Sequence, residues 1–243
     1  MTYLFLFLSV LLSGLAVFLF KSKNENHIKL LLAFSGAYLF AICVLHLIPE
    51  TYSSGGSFIG IYILIGFLFQ ILLEFFSKGI EHGHINITKP SYPVEGINKF
   101  SHTTVPLTIF ISLCIHAFVE GMPLGNSSFN NGNASPLLTG IILHKIPIAF
   151  VLMSLLIQSN VKKQIAIILL ILFALMSPLG FFASNVIGEM ELYFNEIMAI
   201  VIGIFLHIST TILFESTEDH RFNINKFITI IFGAGIAILT CST

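Results

Sequence analysis

The sequence predicts an all-α integral membrane protein of eight transmembrane helices. Three observations carry that reading: charge is scarce, apolar runs recur at the length of a bilayer crossing, and the basic residues gather in alternate connections. Only 9% of the 243 residues are charged, where a soluble domain carries roughly a quarter. Hydrophobic residues make up 56%, and mean hydropathy is +0.95. A net charge of −1 gives no case for a nucleic-acid partner. Cys43, Cys114 and Cys241 lie inside apolar runs without CxxC spacing, which suggests neither a disulfide framework nor a thiolate zinc site.

Apolar stretches near the ~20 residues needed to span a bilayer occupy 3–20, 29–50, 57–77, 104–125, 136–158, 164–187, 194–216 and 225–241. The first, within "MTYLFLFLSVLLSGLAVFLFKSK", lacks the basic leader of a cleaved signal peptide and is expected to span. The glycines of "GGSFIG" before the third, Gly56 and Gly60, are expected to permit close helix packing. Between the third and fourth spans, 78–103 reads as a linker with a small polar cluster, within a single transmembrane domain over 1–243. Lys21, Lys23 and Lys29, then Lys78, Lys89 and Lys99, then Lys162 and Lys163, then Arg221 and Lys226 fall in or beside the odd-numbered connections. "TYSSGGS", "NSSFNNGNASP" and "GEMELYFNE", the even ones, hold no Lys or Arg. The positive-inside rule makes the odd connections cytoplasmic, places both termini outside, and suits a multi-pass protein of a plasma or inner membrane.

Polar groups at bilayer depth cost several kcal/mol and normally face the bundle interior or a wet cavity. Here they cluster. His116 and Glu120 are four apart, on one face of the fourth helix, and His144 and Lys145 lie at matching depth in the fifth. An imidazole and a carboxylate on one face, with an imidazole from the neighbour, suit Zn²⁺ or Fe²⁺ better than Mg²⁺ or Ca²⁺. Pro123 follows Glu120 by three positions and Pro147 follows His144 by three, so each frees a carbonyl beside the cluster, those of Val119 and Leu143. Broken helices at mid-depth are how many transporters present backbone oxygens to an ion. The competing reading, a static hydrogen-bonded pair, leaves the second imidazole and the matched prolines unexplained.

Two further pairs stand apart. His46 and Glu50 of "HLIPE" repeat the four-residue spacing near the outer end of the second span, as an entrance relay for a cation or as an interfacial pair snorkelling to water. Glu74, His82 and His84 near the third span, with His207 and Glu215 of the seventh, could form a cytoplasmic exit site, or simply be solvated groups.

These residues resemble the ZIP family of zinc- and iron-regulated metal transporters. The likeness runs through "HLIPE", "LLEFFSKGIEHGH", "HAFVEG", "HKIP", "SPLG" and "GIFLHISTTILFES", in that order across the spans. It implies an inverted 3+2+3 repeat, with helices one to three and six to eight enclosing four and five. It also implies uptake of a divalent metal into the cytoplasm by an elevator-like or rocking motion, as a homodimer. By position, the primary metal site would be His116, Glu120 and His144. Three departures matter. Ala117 stands where two-metal members place Asn or Asp, Lys145 where they place an acid, and Ile148 where many have another ligand. The resemblance therefore implies one metal, with Lys145 a fixed positive charge beside it.

The expected function is a secondary transporter of a divalent transition metal: Zn²⁺ first, with Fe²⁺, Mn²⁺ or Cd²⁺ as alternatives. The metal is cargo, and no organic cofactor is expected. Its rivals are an intramembrane zinc hydrolase, which would need a motif such as HExxH that the chain lacks, and a metal sensor, for which no soluble output domain is evident.

Overall fold

The computed structural model describes residues 2–19, 25–77, 101–125, 134–186, 192–214 and 224–242. Among them run α1 (Thr2–Ala16), α2 (Glu25–Ile42), α3 (Ile48–Ser54), α4 (Ile59–Ser77), α5 (Ser101–Gly121), α6 (Ala134–Gln158), α7 (Lys163–Val186), α8 (Phe194–Phe214) and α9 (Ile224–Cys241). A π-helical turn, Cys43–Leu47, joins α2 to α3 in one rod, and a 3₁₀ turn, Met122–Gly125, ends α5. Seven of these helical rods are long and apolar enough to cross a bilayer.

The first expected span is shorter than the sequence reading. As α1 it has 15 residues, about 22 Å of rise against a hydrocarbon core of about 30 Å. Beyond Ala16 the ladder tightens, and the N–H groups of Val17, Phe18 and Leu19 bond carbonyls three residues back at 3.3, 3.0 and 3.0 Å. The second span is instead longer, because Pro49 interrupts it without ending it. Proline has no N–H for the Leu45 carbonyl, and the Ile48 N–H reaches back to the Cys43 carbonyl. Inserting one residue into the turn lets the rod continue past the proline to Ser54.

With hydrocarbon outside and apolar side chains inside, burial is signalled by small and polar residues. Leu64, Leu68, Leu72 and Phe75 of α4 are exposed, while Gly66, Gln70 and Leu73 are buried. A Cβ at Gly66 would collide with the Ile200 carbonyl, and one at Gly203 with the Ile63 carbonyl, so α4 and α8 touch backbone to backbone. The expectation for Gly56 and Gly60 fails. A Cβ at Gly56 meets nothing within 4 Å, and one at Gly60 meets only the Tyr52 hydroxyl. Gly56 precedes α4 and Gly60 lies in its first turn, ahead of the stretch where α4 meets α8.

Two hydrophobic clusters form the core. The first joins α2, α8 and α9, with Leu6 of α1, Leu124 at the end of α5, and Leu137 and Ile141 from the first half of α6. The second joins α5, α7 and Val10 of α1 to the later half of α6, from Ile148 to Leu156. His144 and Lys145 lie between these two halves of α6, and Glu120 between Ala117 of the second cluster and Leu124 of the first.

Candidate metal site

Both site helices bury their polar residues through their own periodicity. On α5 the buried positions include Leu113, His116, Ala117 and Glu120, followed by Leu124 in the 3₁₀ turn, while Leu107, Ile111 and Ile115 are exposed. On α6 they include Ile141, His144, Lys145, Ile148 and Leu152. His116, Glu120, His144 and Lys145 are each at most 1% exposed, so four polar side chains share a dry environment.

Their geometry centres on the carboxylate. His116 Nε2 stands 3.1 Å from Glu120 Oε2, and Lys145 Nζ stands 2.5 Å from Glu120 Oε1. The His144 ring meets that of His116 edge to face, with centroids 5.9 Å apart. Lys145 lies over the Phe173 ring of α7, 5.0 Å from its centroid, which adds a cation–π contact on that side of the ammonium. The expected neighbours are thus brought together. Among the described residues, however, no three His, Cys, Asp or Glu side chains are grouped as an ion-holding set. One carboxylate oxygen is occupied by the lysine, and the imidazoles face each other. Ala117 and Ile148 pack into the second cluster, so neither position supplies a side-chain donor.

The backbone around the site is held from two sides. Ser177 Oγ of α7 donates to the Ala117 carbonyl at 2.7 Å, one position after His116. Ser13 Oγ of α1 donates to the Ile146 carbonyl at 2.5 Å, next to Pro147 inside α6. Gly121 and Gly180 let α5 and α7 meet: a Cβ on the first would strike the Ser177 backbone, and on the second the Phe118 carbonyl. Pro123 lies in the 3₁₀ turn and is buried. Phe173 was not singled out by sequence reasoning, and Ser177, Gly121 and Gly180 entered it only inside the motifs "SPLG" and "HAFVEG", without roles of their own. The signal was present in "SPLG", whose small residues and Pro178 fall inside a helix at the depth of the site.

The outlying pairs form separately. His46 Nε2 and Glu50 Oε2 are 3.5 Å apart across the π-helical turn, with side chains 21% and 32% exposed. Glu74 of α4 bonds His207 Nε2 of α8, and Phe67 stacks edge-on against the His207 ring with centroids 5.0 Å apart. His82, His84 and Glu215 lie outside the described residues.

Comparison with known proteins places the chain in a family. The family model described as ZIP Zinc transporter matches residues 95–240. Zinc transporter ZIP1 of Danio rerio is 31% identical over 117 residues, covering 47% of this chain and 38% of the relative. Protein zntD of Dictyostelium discoideum is 28% identical over 172 residues, 67% of this chain and 25% of the relative. Zinc transporter ZIP9-B of Xenopus laevis is 28% identical over 125 residues, covering 51% and 38%. The chain spans less than half the length of these relatives. The family match covers more than half of the chain, from the linker before α5 to the end of α9, and the chain therefore belongs to the ZIP zinc transporter family.

Proposed function

We propose that this chain is a single transmembrane transporter domain that moves a divalent transition metal, zinc first, into the cytoplasm through a one-metal site built on His116, Glu120 and His144. The observation that carries the reading is a carboxylate at 0% exposure beside the His116 imidazole of its own helix, with the His144 imidazole of α6 edge-on to His116. A membrane protein retains such a group where it handles a polar cargo. Imidazole and carboxylate are borderline donors that suit zinc, and the names of the relatives point to the same ion.

In this reading, an arriving cation takes the place of the His116–Glu120 hydrogen bond. His116 Nε2 and Glu120 Oε2, 3.1 Å apart, then both become ligands, and the His144 ring turns from its edge-on contact to supply a third donor. Water completes the four positions zinc prefers. The cluster boundary crossing α5 and α6 at the site supports a cycle in which one body shifts against the other. His46 with Glu50 would receive the cation at one end, and Glu74 with His207 would release it at the other. The basic connections orient the release end toward the cytoplasm. The hydrolase alternative lacks a general base: Glu120 is held by Lys145 and His116 and cannot also activate water.

The test is zinc influx into proteoliposomes holding a zinc-sensitive dye, with Fe²⁺, Mn²⁺ and Cd²⁺ as competitors. Wild type takes up zinc, and His116→Ala abolishes uptake while the protein stays monodisperse in detergent. Wild-type influx no greater than that of empty vesicles for every metal would sink the reading.

A further inference from the structure

We propose that Lys145 is a tethered counter-cation, occupying Glu120 when no metal is bound so that the site can recross the membrane unloaded. The proposal rests on the transporter reading above. A site built only to hold a dication has no use for a buried ammonium. The lysine repels the cargo and adds its own desolvation cost. Yet Lys145 is 1% exposed, with Nζ 2.5 Å from Glu120 Oε1 and the Phe173 ring beneath it. Its benefit arises when the cargo has left.

The charge inventory shows why. With both imidazoles neutral, Glu120 and Lys145 sum to zero in the unloaded site, and the loaded site carries the charge of the metal alone. Without Lys145 the unloaded site would be left with a carboxylate lacking a counter-charge at bilayer depth. A carrier must return after each delivery, and that step would then be the slow one. The placement fits this role. Phe173, beneath Lys145, and Ala117, Ile148 and Ala149, a turn away along α5 and α6, belong to the second hydrophobic cluster, while Leu124 and Ile141, a turn away on the other side, belong to the first. At that boundary the direct contact between Glu120 and Lys145 ties α5 to α6, so the two charges travel together. The two carboxylate oxygens also divide the work. Lys145 keeps Oε1, while Oε2, which faces His116, is the one a metal takes.

The experiment compares zinc influx into vesicles without internal zinc, which requires unloaded return, with influx into zinc-loaded vesicles, which requires exchange only. In wild type the two proceed at comparable rates, because return is charge-compensated. In Lys145→Met, of similar length but uncharged, exchange remains measurable while influx into zinc-free vesicles falls roughly 100-fold, the rate equivalent of an uncompensated charge at bilayer depth. Lys145→Arg keeps the wild-type ratio of the two rates. Strong stimulation of wild-type influx by internal zinc overturns the proposal without any variant, and decides the matter even if Lys145→Met does not fold. Lys145→Met with an unchanged ratio overturns it equally. Either result leaves transport intact, whereas absence of any wild-type flux removes the transporter reading and this proposal with it.

Discussion

Breaking the Glu120–Lys145 pair from either side is expected to destabilise the protein about as much as breaking it from both. The charges stand 2.5 Å apart at 0% and 1% exposure, so water and salt screen them little. With an effective dielectric near 20, Coulomb attraction at that distance is about 7 kcal/mol. Most of it offsets the desolvation of two ions, so the net worth of the pair is small. The cost of removing one partner is larger, about 3–5 kcal/mol, because the other charge remains buried without compensation. Glu120→Gln and Lys145→Met preserve shape, and each should cost toward the lower end of that range. His116 and Phe173 still give the surviving charge some relief. The double variant should cost less than the sum of the singles by about 3 kcal/mol, since it leaves no isolated charge. Reversible unfolding of purified protein in mixed micelles measures all four corners of the cycle. Single costs below about 1 kcal/mol that simply add would show that water reaches the pair, and would refute the dry-site description.

Two more outcomes are expected. Gly180→Val places a branched side chain against the Phe118 carbonyl. It should force α7 away from α5, weaken zinc binding at least about tenfold through displacement of His116 and Glu120, and lower the midpoint of thermal unfolding, both measurable in detergent. Glu74→Ala removes the partner of His207 across α4 and α8. Net uptake should fall severalfold, while zinc affinity at the His116–Glu120 site, read by equilibrium binding, stays at the wild-type value. A matching loss of affinity would mean that the two sites are not separate.

The spans were legible in the sequence because lipid imposes the simplest pattern a chain can carry: about 20 apolar residues between polar connections. The ends were less so. α1 stops at Ala16 where apolar residues continue to Phe20, since hydropathy cannot report a ladder that tightens into 3₁₀ geometry. The rod containing Pro49 passes Glu50 to end at Ser54, because a proline can be absorbed by a π-helical turn as well as obeyed as a stop. At the site, His116, Glu120, His144 and Lys145 were legible, since charge at bilayer depth is rare enough to be informative by itself. Phe173, Ser177 and Gly180 were not, because an aromatic ring, a hydroxyl and a glycine in an apolar helix are ordinary until a partner helix is placed against them. The glycines show this plainly. Gly56 and Gly60 stand out in the text of the sequence and support nothing across a helix pair, whereas Gly66 and Gly203, unremarkable in their runs, bring α4 and α8 backbone to backbone.

The position of the site follows from the same physics that hides its neighbours. An apolar core of two clusters offers polar groups a place where one gives way to the other. Polar groups placed inside either cluster would cost packing as well as desolvation. Placed where α5 and α6 pass between the clusters, they cost mainly desolvation, which the Glu120–Lys145 pair and the facing imidazoles reduce in the unloaded protein. A boundary of this kind is also where two bodies can slide without opening their interiors. In the proposed transporter, the residues that would hold a metal and the surface along which the protein would move therefore coincide for one energetic reason. Ser177 and Ser13 fasten the backbone at that boundary, through the carbonyls of Ala117 and Ile146.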